Sequence, residues 1–251
     1  MERGTFATRS VQIAFVAIVA GAWLIAGATG SVSRLFLPPL PAVYAAAERL
    51  VQTPAFWSAV TVTLTTIAEA FAIAAICGVL AGYLVTRSKL AMEVFEPVFS
   101  SLFTIPITLF FPMFILFFGI GTGSKVAYGA TYAFFPVALN TIAAFAKTNE
   151  HYLRAARSMG AGRIDTFRHV ILPGALPVLL TGMRIAFFIC FASVLGGETI
   201  SSVAGVGRNI ARAAELMDSA RMYAWILFVI LTSVTLNLLV QSLERRAEQR
   251  R

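Results

Sequence analysis

The chain has 251 residues, of which 58% are hydrophobic and 13% charged, with a mean hydropathy of +0.80. Those proportions exclude an ordinary soluble domain and place the chain in the membrane class. The net charge of +8 collects in polar loops between apolar runs, which excludes nucleic acid as its reason.

A helix rises about 1.5 Å per residue, so about 20 apolar residues cross a hydrocarbon core of roughly 30 Å. Met1 to Ser10 carries Arg3 and Arg9, and the long apolar run behind it, about 11–29, reads as an uncleaved first span rather than a signal peptide. The stiff turn Leu37-Pro38-Pro39-Leu40-Pro41 and a short amphipathic helix over 42–51 follow. Span two is about 56–85, closed by Arg87 and Lys89; span three, about 98–118, contains Pro106 and Pro112, each of which invites a kink. Span four is about 126–145, span five about 174–195, and span six about 223–243. Between the last two lies a polar region, Gly196 to Arg221, with a helical pattern from Arg208 to Met217. The expected fold is an all-α membrane protein with six transmembrane helices and a helix–bend–helix loop between spans four and five.

That loop, residues 150–173, is the longest polar interruption in the chain. Tyr152 to Met159 suits two helical turns, Gly160-Ala161-Gly162 permits a bend, and a second short helix fits Arg163 to Val170. Pro173 can then open the next helix. Six spans put both termini on one face. Arg3, Arg9, Arg87, Lys89, Lys147, the loop arginines and Arg245, Arg246, Arg250 and Arg251 share that face, whereas Arg34, Arg49, Lys125, Arg208, Arg212 and Arg221 fall on the other. The richer face is cytoplasmic, and the loop lies on it.

The loop resembles the signature of the membrane subunits of ATP-binding-cassette importers. Ala155-Ala156 are followed by Gly160, nine further residues, and then Val170-Ile171-Leu172-Pro173, with Arg154 standing where that family most often has Glu. The Pro-rich turn, Gly119-Ile120-Gly121, Ser124-Lys125, Gly196-Gly197-Glu198 and Gly205-Val206-Gly207 are similar as well. The likeness covers nearly the whole chain, and within the superfamily it is greatest to the branch for sulfonates, taurine, nitrate and related small organic anions or heterocycles. It implies a single permease domain over residues 1–251, in the bacterial inner (cytoplasmic) membrane, with both termini cytoplasmic. It also implies partners: a second permease, most simply a copy of this chain, two copies of a cytoplasmic ATP-binding subunit, and an external solute-binding protein. ATP and Mg would be bound by that ATPase, with no cofactor in this chain and no enzymatic activity of its own. Arg154, Ala155, Ala156, Gly160, Leu172 and Pro173 carry the coupling assignment, the two alanines seating in a groove of the ATPase.

The residues themselves agree that the chemistry lies elsewhere. There is no G-x-x-x-x-G-K-[ST] sequence to cradle phosphates, and His151 and His169 are the only histidines. Cys77 and Cys190 lie in apolar segments as structural thiols. Gly78 and Gly82 show the small-x-x-x-small spacing of close helix packing. Three charged residues in or near spans are candidate pathway or gate groups: Glu69 midway along span two, Arg184 in span five, and Glu198 at its end. Each also has a structural reading, as a hydrogen-bonded carboxylate, a snorkelling cation and a loop cap respectively. An ion-gradient-driven secondary transporter is the alternative, and it would need such groups as its coupling site.

Overall fold

The computed structural model describes residues 2–29, 32–146 and 150–249, and every regular element among them is helical. Lys147, Arg250 and Arg251, counted above on the basic face, lie outside the described residues. In order the helices are α1 (Glu2–Thr29), α2 (Leu40–Val51), α3 (Pro54–Val85), α4 (Lys89–Thr104), α5 (Phe111–Phe118) and α6 (Thr122–Ala146). They continue with α7 (Glu150–Ser158), α8 (Arg163–Thr166), α9 (Leu172–Ile200), α10 (Val206–Glu215) and α11 (Ser219–Gln249). Helices are the expected answer for apolar runs, because hydrocarbon offers no partner to an unpaired backbone group.

Four stretches are long and apolar enough to cross a bilayer: Pro54–Val85, Thr122–Ala146, Arg163–Ile200 and Ser219–Ser242. The pair Lys89–Thr104 and Ile107–Phe118 supplies a fifth if it is counted as one broken span, while α1 contributes the shorter apolar stretch Ala17–Gly27. The described residues thus supply four or five of the six expected spans.

Span three departs from its expected form. It starts earlier, at Lys89, and breaks into two helices whose axes differ by 74°. Ile105, the residue before Pro106, is extended at φ −67° and ψ 129°, as the proline ring demands of its predecessor. A 3₁₀ turn over Ile107–Phe110 follows, and Pro112 sits in the first turn of α5, where it starts a helix and kinks none. The polar region expected from Gly196 also starts later, because α9 stays helical through Gly196-Gly197 to Ile200.

The core is built on α6, which packs most extensively, against both α3 and α9. Small residues set that spacing: Ala70 and Ala74 on α3, Ala130 and Ala133 on α6, and Ala186 and Cys190 on α9 form one buried cluster. A methyl added to Gly82 would lie 2.6 Å from both Ala138 O and Thr141 Cβ, and one on Gly78 would lie 2.7 Å from Val137 Cβ. The small-x-x-x-small pair of α3 is therefore a packing device. A second cluster joins α2, α10, α11 and the start of α3, where Phe56 stacks on Trp225 with ring centroids 4.9 Å apart. The Pro-rich turn is pinned there too, since Trp23 Nε1 donates to Pro38 O at 2.9 Å and Tyr223 Oη to Phe36 O at 3.0 Å.

Overpacking such a contact costs about 1–3 kcal/mol. Gly82→Leu is expected to lower the melting temperature of the detergent-solubilised protein by several degrees. Gly121→Ala, where an added methyl meets nothing within 4 Å, is the matched control and should leave it unchanged. Equal melting of both variants would contradict the close approach of α3 and α6.

Candidate functional site

The loop 150–173 forms a helix, a bend and a return into the bundle. α7 closes in a Schellman motif: Ala161 N–H donates to Ala156 O and Gly160 N–H to Arg157 O, both at 3.0 Å. Gly160 holds φ +80° there, a left-handed conformation that a side chain would strain. The expected second helix is present but does not end before Pro173. From Arg163 the chain is helical without interruption to Ile200, passing through a π-helical turn over Phe167–Ile171. That wide turn, in which Leu172 N–H reaches back to Phe167 O, relieves the clash a proline ring makes with the carbonyl four residues earlier. Leu172 and Pro173 mark the junction and are half-buried.

The alanine pair divides. Ala156 is 3% exposed and faces its own subunit, so it does not lie on the outward surface where a partner's groove was expected to take it. Ala155 is exposed, and three residues before and four after it stand Tyr152 at 65% and Met159 at 81% exposure. The result is an apolar edge with a notch at its centre. Ile164, also 81% exposed, adds a further apolar knob beyond the bend. Arg154 is exposed on α7. Beneath the loop, Tyr83, Phe145 and Phe167 pack ring to ring, Tyr83 lying 5.3 Å and 5.7 Å from the other two. The Arg87 guanidinium sits 4.8 Å over the Tyr83 ring. A recess of about 610 Å³ remains between this floor and the loop, bordered by Leu153, Arg157 and Arg163. Tyr152, Met159 and Ile164 were not singled out from sequence. The signal available was their being large and apolar in an otherwise polar, arginine-rich stretch.

The three charged candidates do not form one cluster. Glu69 lies midway along α3 and is exposed, whereas Arg184 is half-buried on α9. Glu198 is 2% exposed in the last turn of α9. Thr63 Oγ1 lies 2.9 Å from both of its carboxylate oxygens, and Gly207 N–H donates to Oε2 at 2.8 Å. Thr63 Oγ1 in turn accepts from Val206 N–H at 2.8 Å. The carboxylate therefore caps the N-terminus of α10, where free N–H groups and the helix dipole favour negative charge. Gly205, at φ +107°, leaves the room, because any side chain there would overlap the Glu198 carboxylate.

Lys125 completes the arrangement. It is 1% exposed, its Nζ donates to Ile120 O and Gly121 O, and its aliphatic stem packs close to Gly197, the neighbour of Glu198. Gly119-Ile120-Gly121, Lys125, Gly196-Gly197-Glu198 and Gly205-Val206-Gly207 are separate in sequence, yet they make one polar latch. It ties α3, α6, α9 and α10 at the end of the bundle opposite the loop. Thr63 had no signal of its own in the sequence. Lys125 had one, as a lysine at the mouth of an apolar span.

Residues 74–251 match the family described as binding-protein-dependent transport system inner membrane component. The taurine transport system permease protein of Escherichia coli (strain K12) is 28% identical over 94% of this chain and 88% of its own length. The formylaminopyrimidine transport permease protein of Halalkalibacterium halodurans is 28% identical over 71% of this chain and 72% of its own. The nitrate import permease protein of Leptolyngbya laminosa is 26% identical over 74% and 66%. Among solved structures, a methionine ABC transporter in inward-facing conformations is similar at a TM-score of 0.62 and 19% identity, over 78% of this chain and 99% of that one, which is a likeness of fold.

Thr63→Val keeps the shape of the latch but removes the hydroxyl that serves Glu198 and Val206. Leaving buried polar groups short of a partner costs about 1–3 kcal/mol. The variant should melt several degrees lower, and Thr63→Ser should recover most of the loss. Wild-type melting in Thr63→Val would show that the latch holds nothing together.

Proposed function

We infer function from membership: the chain belongs to the binding-protein-dependent transport system inner membrane components, and so is a permease subunit of an ATP-binding-cassette importer. In this reading it forms half of the membrane pathway, paired with a second permease, most simply a copy of itself. Two cytoplasmic ATPase subunits dock at the loops, and an external binding protein delivers the cargo. The observation that carries the reading is the outward edge of α7 and the residue that follows it, Tyr152–Ala155–Met159, presented by the left-handed turn at Gly160 and braced by the buried Ala156. Apolar knobs around a small residue, on a short amphipathic helix outside the spans, are the chemistry of a helix seated in a partner's groove. When the ATPase pair closes on ATP, a helix braced in this way transmits the motion into α9 through the continuous helix from Arg163 to Ile200.

The topology follows from charge. Six spans with the loop and both termini on the basic face put that loop in the cytoplasm of the bacterial inner membrane and the Glu198 latch outside. The cargo is a small solute of the sulfonate, taurine or nitrate kind, a reading supported by relatives whose names specify taurine, aliphatic sulfonates and nitrate.

Two measurements test these points. A tryptophan at Ala155 fills the notch, and overpacking by about 1–3 kcal/mol corresponds to a roughly five- to hundredfold loss of docking. Ala155→Trp should therefore insert in the membrane normally yet lose ATPase co-purification and ATP-dependent uptake. Retention of both would remove the docking assignment. For topology, Val203→Cys (Val203 is 77% exposed between α9 and α10) and Ser158→Cys are compared in a cysteine-free background. An impermeant thiol reagent added to intact cells should label the first and spare the second; the opposite pattern would invert the topology.

A further inference from the structure

The side of α3 turned away from the core is not uniformly apolar. At 3.6 residues per turn, Ser58, Thr61, Thr65 and Glu69 fall in one narrow stripe, opposite the packed positions Phe56, Thr63, Ile67, Ala70 and Ala74. All four are exposed. Thr61 Oγ1 donates to Trp57 O and Thr65 Oγ1 to Thr61 O, each at 2.9 Å, so both hydroxyls keep lone pairs directed outward. Glu69 has no hydrogen bond or ion pair among the described residues. Past Glu69, toward the coupling loop, the stripe turns apolar with Ala72, Ile76 at 62% exposure and Leu80 at 56%. Polarity thus enters from the latch end and stops at mid-membrane, on a carboxylate.

A carboxylate at the middle of a 32-residue span is strongly disfavoured against hydrocarbon, and no hydrogen bond or ion pair among the described residues satisfies it. Such residues face a water-filled cavity or a polar partner rather than lipid. We propose that Ser58, Thr61, Thr65 and Glu69 line the solute lane closed by the second permease, and that Glu69 at its floor receives a cationic nitrogen of the cargo. This rests on the importer reading above and sharpens its cargo. A simple anion reaching Glu69 in a low-dielectric lane is repelled, whereas a zwitterion with an ammonium beside its acidic group is held. The class selected is therefore an aminosulfonate-like zwitterion in preference to a plain anion.

The test reads the charge of the lane directly and needs neither ATPase nor cargo. The full chain in membrane vesicles carries Cys77→Ser, with Cys190 kept because it is fully buried. Thr65→Cys, one helical turn from Glu69, is reacted with 2-aminoethyl methanethiosulfonate and, separately, with its 2-sulfonatoethyl counterpart. Both should react, the cationic reagent faster, and the ratio of their rates should fall about tenfold when Glu69→Gln is added. Ser58→Cys, nearer the mouth, should show the same reactivity with a smaller change of ratio. If neither cysteine reacts with either reagent, the stripe faces lipid or a dry protein contact and the lane is refuted. If Thr65→Cys reacts but the ratio ignores Glu69→Gln, the selection of a cationic group is refuted. Either result can occur while Ala155→Trp still abolishes ATPase co-purification, so failure here is separable from failure of the importer reading.

Discussion

The close approach of α3, α6 and α9 is the constraint on which the rest of the molecule depends. In a bilayer no hydrophobic force pulls helices together, so association relies on van der Waals contact over surfaces that fit. Glycine and alanine along α3 supply such a surface, and Gly78 and Gly82 bring its backbone so near α6 that no side chain fits between them. Every functional feature is referenced to this rigid unit. The loop 150–173 leaves it at the end of α6 and re-enters it as α9, and the polar latch closes its other end.

The two ends use different chemistry because they face different demands. At the loop end, an aromatic floor of Tyr83, Phe145 and Phe167 supports a helix whose outer edge stays uncovered. At the other end the charged groups are buried. Glu198 and Lys125 are fully desolvated, and burial of such charges is tolerated only when each finds hydrogen bonds. Thr63, Gly207, Ile120 and Gly121 provide them.

Between these ends the exposed face of α3 is the least settled surface energetically. Its apolar half, with Ile76 and Leu80, is content against lipid or another apolar helix. Its polar half is not, and Glu69 marks the change. That division of a single helix face leaves a carboxylate at the middle of α3 without a partner among the described residues.

The sequence by itself determined the class, the approximate positions of the long apolar helices, the place of the loop and the packing role of Gly78 and Gly82. These follow from local quantities: hydropathy over about 20 residues, the conformational freedom of glycine, and the spacing of small side chains. Only the tertiary structure decided that Ala155 faces out while Ala156 faces in, because helix rotation is set by what lies beneath α7, and Tyr83, Phe145 and Phe167 come from three separate segments. It likewise decided that α9 runs on past Gly196-Gly197, where Gly197 abuts Phe111 and Lys125, although glycine alone weakens a helix. The 74° break at Pro106 was legible as a break but not in its direction. Glu198 shows the limit most clearly: its partner Thr63 is 135 residues away, and no local pattern records a hydrogen bond that only the meeting of α3 and α9 creates.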